Sequence, residues 1–349
     1  MASMRELQQE IKEAGLEIDF WKKNRLSNNQ RDLLDAVQRR NTEKVKRLVG
    51  KGTDPNFTDE KGNYPIHIAA GLPLLGGAQE ILTTLLYFGA SVDVRDRFGR
   101  TPLHIAASLT SQRVLVLLET GCSINEQDVA GRTALMEACS SEGSDALSVV
   151  QILLDRNINA SLKDQDGLTA LHCACKNLKQ DRVVRNEIIC KLLFSGVSAI
   201  ITDKSGKMPL CYELDKFVHV PRRYFKDSEF LVTRTLIQAG ANYNSRNRLH
   251  ETWARRAIAY SQLNFLKELF AIIQPVLGLK AAKQVYHIWH SREDKDNEIL
   301  AELQTLITNP VSLQSLCRSL LRDELRGKLF VKVDHLPLPQ CLKSYILVQ

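Results

Sequence analysis

Residues 101–106 read Thr-Pro-Leu-His-Ile-Ala, and related stretches recur along the chain. They lie at residues 64–67 (YPIH), 133–136 (TALM), 169–172 (TALH) and 208–211 (MPLC). Thr is a preferred helix N-cap and Pro fits the first helical turn, so each stretch is predicted to begin a helix. Recurrence at a regular interval indicates a repeat protein.

An Asp-x-x-Gly tetrapeptide, which is typical of a turn, precedes each stretch. The tetrapeptides begin at Asp59, Asp96, Asp128, Asp164 and Asp203, at spacings of 37, 32, 36 and 39 residues. Further along each unit comes an apolar pair and then usually a Gly, which is predicted to cap a second helix. One unit is thus a turn plus two antiparallel helices. It must stack on its neighbours because it cannot bury both faces alone.

The recurrent stretch resembles the ankyrin repeat signature TPLHxA, which residues 101–106 match in full. The resemblance implies an all-α ankyrin-repeat solenoid of helix-turn-helix repeats with short β-hairpin turns. It covers residues 30–274 as about seven repeats, of which the first and last are degenerate. The segment before it, residues 1–29, is predicted to be an N-terminal helical extension, and residues 275–309 a helical connector.

Three histidines, His67, His104 and His172, share one position of the repeat. No cluster of partner residues accompanies them, so a role as metal ligands or general bases is not supported. In the ankyrin family such histidines tie neighbouring hairpins together by hydrogen bonds. Met136 and Cys211 depart from the pattern at the same position.

A different pattern begins after Pro310, where apolar residues recur at helical spacing along one face. Two prolines, Pro337 and Pro339, then favour an extended segment. About forty residues are too few to build a stable core unaided. This C-terminal unit is therefore expected to dock on the repeats or on a partner.

The C-terminal pattern resembles the SOCS box, which implies a small three-helix unit over residues 310–349. The resemblance assigns elongin C binding to one helix face: Leu313, Leu316, Cys317, Leu320 and Leu321. It assigns cullin selection to an LPxP element, which in this family chooses cullin five: Leu336, Pro337, Leu338 and Pro339. The implied partners are elongin B, elongin C, and cullin five with its RING protein.

Composition limits the other functions. The net charge of +7 is spread over 349 residues, which does not indicate nucleic-acid binding. No apolar run approaches the length of a membrane span, and residues 1–20 have no apolar core of a signal peptide. These features predict a cytoplasmic location, or also a nuclear one. The eight cysteines contain no CxxC pair and are predicted to be buried, reduced thiols. No cofactor, metal site or catalytic residue is predicted.

The function that the two resemblances imply is a substrate receptor of an elongin–cullin–RING ubiquitin ligase, with no catalysis of its own. The alternative is an ankyrin adaptor or scaffold without ligase function. The target is an unidentified protein, and the basic, aromatic turn with Arg97, Phe98 and Arg100 is predicted to bind it. Further turn-tip residues are predicted to extend this surface: Arg95, Gln127, Val129, Arg132, Lys163, Gln165 and Leu168. The loop at Pro221–Lys226 is the second candidate.

Overall fold

The computed structural model describes residues 26–73, 76–218 and 231–241, together with Ala301 and Gln304. Within these residues the chain forms twelve helices and no strand, so the all-α prediction is confirmed there. The helices are α1 (Asn28–Gln38), α2 (Thr42–Gly50), α3 (Pro65–Gly71), α4 (Ala78–Tyr87), α5 (Pro102–Ala107), α6 (Ser111–Glu119), α7 (Ala134–Ser140), α8 (Ala146–Asp155), α9 (Ala170–Lys176), α10 (Arg182–Phe194), α11 (Pro209–Val218) and α12 (Leu231–Gln238).

Several predictions fall outside the described residues. These are most of the N-terminal extension (residues 1–29), nearly all of the connector (residues 275–309), the SOCS box and the loop at Pro221–Lys226. The residues assigned to elongin C and cullin binding also lie outside them: Leu313, Leu316, Cys317, Leu320, Leu321, Leu336, Pro337, Leu338 and Pro339. Their assignment stays a prediction.

The chain divides into two compact units. The first comprises Met1–Pro102 and Val116–Cys122, and the second comprises Leu103–Leu115 and Ser123–Gln349. In the first unit, α1 packs on α2 and α3 packs on α4, which makes two antiparallel pairs. The leading helices α1 and α3 also contact each other, as do α2 and α4. This unit is therefore a stack of helix pairs in two layers.

The second unit repeats the same arrangement with α7/α8, α9/α10 and α11/α12 as its pairs. Helix α9 lies between α7 and α11 in one layer, and α10 lies between α8 and α12 in the other. The leading helices α7 and α9 have only seven residues each, which is too short for stability in isolation. They depend on packing, and apolar residues such as Leu135, Leu171 and Leu192 are accordingly buried.

The helix ends agree with the sequence signals. Thr133 caps α7, because its side chain accepts a hydrogen bond from the backbone N–H of Met136. Thr169 and His172 form a reciprocal capping box at the start of α9. After the second helix of a pair, a glycine such as Gly89 or Gly196 adopts a positive φ. In the pair α7/α8, Asn157 takes that conformation instead, with φ of 57°.

Candidate functional site

The turn that contains the predicted target-binding residues is built around Asp96. Its carboxylate Oδ1 accepts hydrogen bonds from the backbone N–H groups of Phe98 and Arg100, each at 2.9 Å. The backbone N–H of Asp96 donates to the carbonyl of Arg100, and that of Gly99 donates to the carbonyl of Asp96. The same bonds recur at the other Asp-x-x-Gly turns, beginning at Asp59, Asp128, Asp164 and Asp203.

The repeat histidines hold these turns. Nε2 of His67 lies 2.9 Å from the carbonyl oxygen of Arg100, and Nε2 of His104 lies 3.0 Å from that of Arg132. His172 makes the equivalent contact with the carbonyl of Lys207, at 3.3 Å. A carbonyl can only accept, so Nε2 carries the proton. The hydrogen bonds that the ankyrin resemblance implied are thus confirmed.

These histidines are neutral structural groups. Burial lowers the pKa of His67, His104 and His172 below the ordinary value of 6.5, and the carbonyl contacts offset that effect only in part. Nδ1 of His172 is also occupied, since it accepts from the backbone N–H of Thr169 at 3.1 Å. Neither ring nitrogen of His172 is therefore available as a base or a metal ligand.

Arg97, Phe98 and Arg100 form one cation–π cluster at the tip of their turn. The guanidinium carbon of Arg97 lies 4.6 Å from the centre of the Phe98 ring, and that of Arg100 lies 5.1 Å from it. Phe98 is 48% exposed, and Arg97 is exposed as well. The structure thus brings the three predicted residues together. An exposed aromatic ring beside two guanidinium groups suits an apolar side chain next to a carboxylate.

Turn tips in the second unit are joined to one another. Gln165 donates its backbone N–H to the carbonyl of Ala130 at 2.8 Å and its side-chain amide to the carbonyl of Val129 at 2.6 Å. The amide of Gln127 reaches the carbonyls of Gly131 and Lys163. The side chains of both glutamines therefore support the row of turns, whereas Val129 is 64% exposed and accessible to a partner.

Two of the predicted turn-tip residues do not lie at a free surface. Leu168 is only 6% exposed, so its assignment to the target-binding surface is wrong. Its backbone N–H bonds Asp164, and this position directs the side chain back into the protein. Arg132 holds the same place in its turn, and its guanidinium binds Glu137 and Ser140 at 2.6 and 2.8 Å.

One exposed aromatic pair was not predicted from the sequence. Tyr87, the last residue of α4, is 86% exposed, and the adjacent Phe88 is 40% exposed. Both follow a run of apolar residues in α4, and such a run gives no signal that separates its exposed end from its buried part.

The cysteines do not form a reactive site in the described part of the chain. All six that it contains are free thiols. The predicted burial is confirmed for Cys139, Cys173 and Cys175, whereas Cys122 and two others are only half-buried. Burial raises the pKa of Cys122 and Cys173 to about 11, so these thiols are protonated at neutral pH.

Two other kinds of feature are absent from residues 26–73, 76–218 and 231–241. No group of three or more His, Cys, Asp or Glu side chains there could hold a metal ion. No helix in that part is long and apolar enough to cross a membrane.

Comparison with known proteins adds two family matches. The sequence model of the family described as ankyrin repeats (3 copies) matches residues 33–128 and 112–203, and that of the SOCS box matches residues 309–347. Human ankyrin repeat and SOCS box protein 6 is 25% identical over 331 aligned positions, which cover 86% of this chain and 77% of that protein. The chain belongs to the ankyrin repeat and SOCS box family.

Other relatives are similar to this chain over a smaller share of their own length. Human SH3 and multiple ankyrin repeat domains protein 2 is 30% identical over 238 residues, or 68% of this chain. The chain spans only 12% of that protein's length. The mouse B-cell lymphoma 3 protein homolog is 29% identical over 194 residues, or 54% of this chain and 39% of its own.

Proposed function

We propose that this chain is the substrate-recognition subunit of an elongin B/C–cullin–RING ubiquitin ligase. One observation carries the proposal: ankyrin repeats and a SOCS box occur in the same chain, as in a relative that is similar over most of both lengths. The ankyrin repeats hold a target protein, and its ubiquitination leads to proteasomal degradation. The complex works in the cytoplasm, or also in the nucleus.

The SOCS box recruits the ligase. Leu313 and Cys317 enter a pocket of elongin C, and three leucines on the same helix face pack beside them: Leu316, Leu320 and Leu321. The element from Leu336 to Pro339 selects cullin five, together with its RING protein. Prolines stiffen this element, so ordering it on binding costs little entropy.

The turn with Arg97 and Phe98 contributes to target recognition. The ring of Phe98 offers apolar area at low entropic cost, and the guanidinium of Arg97 can bind a carboxylate of the target. Arg100 stacks on the same ring from within the turn. The target segment is expected to be acidic or of mixed charge.

The chain itself does no chemistry in this proposal. It raises the effective concentration of target lysines near a charged ubiquitin-conjugating enzyme. The state of the candidate catalytic groups in the described residues supports this role. Buried histidines such as His172 bond the backbone, and thiols such as Cys173 are protonated.

Co-purification of elongin B and C with the full chain tests the proposal. Leu313→Ser combined with Cys317→Arg is expected to abolish it, because the change removes a buried Leu and places an unpaired Arg in the pocket. The circular dichroism spectrum should stay that of the wild type, since the repeats fold largely independently. Retention of elongin by a normally folded double variant contradicts the assignment of these residues. Absence of elongin from the wild-type complex favours the scaffold alternative.

A further inference from the structure

The first unit carries a second surface whose composition suits a protein partner. Tyr87 and Phe88 lie next to each other at the end of α4, and their rings meet edge to face with centroids 5.2 Å apart. Tyr87 is 86% exposed and buries almost nothing within the described chain. Together they form one exposed apolar patch, and aromatic residues of this kind are enriched among interface hot spots.

Gly50 leaves the Phe88 ring uncovered. It is the last residue of α2, and a Cβ at this position would lie 4.0 Å from the ring carbon Cζ of Phe88. Its φ is not positive, so the backbone does not require a glycine there. Glycine weakens a helix relative to alanine. What it provides at this site is access to the ring, because a long side chain at residue 50 would lie against Phe88.

Two cations flank Gly50. Lys51 follows it directly, and Arg47 lies one helical turn before it on the same face. Both are exposed, and neither forms an ion pair within the described residues. Lys46, in contrast, is already bound to Glu80 at 2.6 Å. The α2 side of the aromatic patch therefore carries two positive charges that are not neutralised.

An acidic residue takes the place of Tyr87 in the next second helix of the repeat. Tyr87 lies two residues before the capping Gly89, and Glu119, at the end of α6, lies two residues before the capping Gly121. The two therefore hold equivalent positions in consecutive second helices. Glu119 is exposed. From this equivalence we expect Glu119 to follow Tyr87 along the stack, on the side away from Arg47 and Lys51.

We infer that this aromatic patch docks a segment of a partner protein in which an apolar side chain is flanked by carboxylates. The apolar side chain covers Tyr87 and Phe88, and the carboxylates face Arg47 and Lys51. A basic segment is disfavoured, since it would meet these two cations. The patch consists of residues other than the Arg97–Phe98 cluster, and this docking does not depend on the ligase function.

Selection from a phage-displayed library of random twelve-residue peptides tests the inference on the full chain. Peptides are selected on the wild type and depleted on the Tyr87→Ser/Phe88→Ser variant. The expected peptides combine Asp or Glu with an aromatic or branched aliphatic residue, and their synthetic copies bind the double variant at least about tenfold more weakly. Basic peptides, equal affinity for both proteins, or no enrichment at all would overturn the inference.

Three single substitutions separate docking from folding. Lys51→Glu is expected to weaken a selected acidic peptide about tenfold, whereas Glu119→Lys strengthens it, because the charge near the peptide changes in opposite directions. Gly50→Gln is expected to weaken the peptide while it raises the unfolding midpoint, since it covers Phe88 and extends α2 with a better helix former. If the peptide affinities of the three variants follow their unfolding midpoints and not their changes of charge, the docking site is contradicted.

Elongin B and C co-purification, measured on the same wild-type preparation, keeps this inference separate from the proposed function. A chain that selects acidic peptides but does not bind elongin contradicts only the ligase function. A chain that binds elongin but selects no such peptides contradicts only the docking site.

Discussion

Nη2 of Arg100 lies 2.8 Å from Oδ2 of Asp96, whose side chain is completely buried. Burial alone would raise the pKa of Asp96. The hydrogen bonds from the backbone and side chain of Arg100, and from the backbone of Phe98, outweigh burial and hold that pKa below its ordinary value. The charge of Arg100 is therefore neutralised within the turn. Arg97 forms no ion pair in the described chain and is the cation that remains for a target.

Arg97→Ala and Phe98→Ala are each expected to weaken target binding by about 1–3 kcal/mol, the usual loss at a hot spot. Both side chains are exposed at the turn tip, so their removal should not disturb the fold. Proximity labelling in cells, with each variant compared with the wild type, measures target capture. An unchanged set of labelled partners would exclude this turn as the recognition site and favour the loop at Pro221–Lys226.

Arg100→Ala is expected to act on stability first. It removes the guanidinium that compensates the buried carboxylate of Asp96, which should cost about 1–2 kcal/mol of unfolding free energy after allowance for the partial exposure of Arg100. Arg97→Ala is the matched control and should stay within about 0.5 kcal/mol of the wild type. Urea denaturation of the two variants measures the difference. Equal stabilities would contradict the role assigned to the Arg100–Asp96 pair.

Gly167→Ala is expected to destabilise the second unit more than Gly196→Ala does. Both glycines have a positive φ, of 82° and 92°, so alanine is strained at either site. A Cβ at residue 167 would also lie 2.9 Å from the backbone nitrogen of Lys204, whereas one at residue 196 meets nothing within 4 Å. The difference in unfolding free energy should be about 1–3 kcal/mol. Equal losses of unfolding free energy in the two variants would mean that the turns at Gly167 and Lys204 move apart at little cost.

Stability should fall as the pH drops below about 6.5. The folded-state pKa values of His67, His104 and His172 lie below the ordinary 6.5, so protonation favours the unfolded chain. The stability that the neutral histidines contribute is fully present above pH 6.5. It is lost as the pH falls through the folded-state values, at up to about 1.4 kcal/mol per pH unit for each histidine.

Thermal unfolding between pH 8 and pH 5 measures this dependence. His104→Met is a suitable control, because the chain itself has a buried methionine, Met136, at the equivalent position. The variant should lose stability at pH 8 but show a shallower slope below pH 6.5. A slope equal to that of the wild type would mean that His104 does not titrate on unfolding.

Replacement of Leu336, Pro337, Leu338 and Pro339 by alanine should reduce cullin binding and spare elongin binding. The LPxP element is expected to contact the cullin alone, and elongin C is expected to bind the residues from Leu313 to Leu321. Pull-downs with purified elongin B/C and purified cullin five, performed side by side, compare the two affinities. An equal loss of both partners would show that the element only supports the fold of the SOCS box.

Periodic features of this chain could be read from its sequence. The Asp-x-x-Gly turns follow from local hydrogen bonding that recurs in phase. The ties from His67 and His104 were expected because the ankyrin resemblance implies them. The burial of Leu168 did not follow from composition, because the turn residues around it are polar. At the equivalent position of other turns, Arg100 binds Asp96 and Arg132 binds Glu137, so these side chains contact their own unit as well.

The exposed pair Tyr87–Phe88 illustrates a second kind of limit. The sequence of α4 is apolar around most of its circumference near its end, and a continuous apolar run is compatible with full burial. Whether the Phe88 ring is covered depends on the residue that the neighbouring helix places opposite it. That residue is Gly50, and it lies 37 positions before Tyr87, beyond the reach of any local pattern.

The histidine ties also bear on how the chain is made. Each joins residues only 33, 28 or 35 positions apart, so closing it requires no distant part of the sequence. Proteins held by such local contacts fold fast, and units near the N-terminus can fold during synthesis. We therefore expect the repeats to fold on the ribosome before residues 309–347 emerge. Nascent chains would then already present their target-binding turns before they can join a ligase.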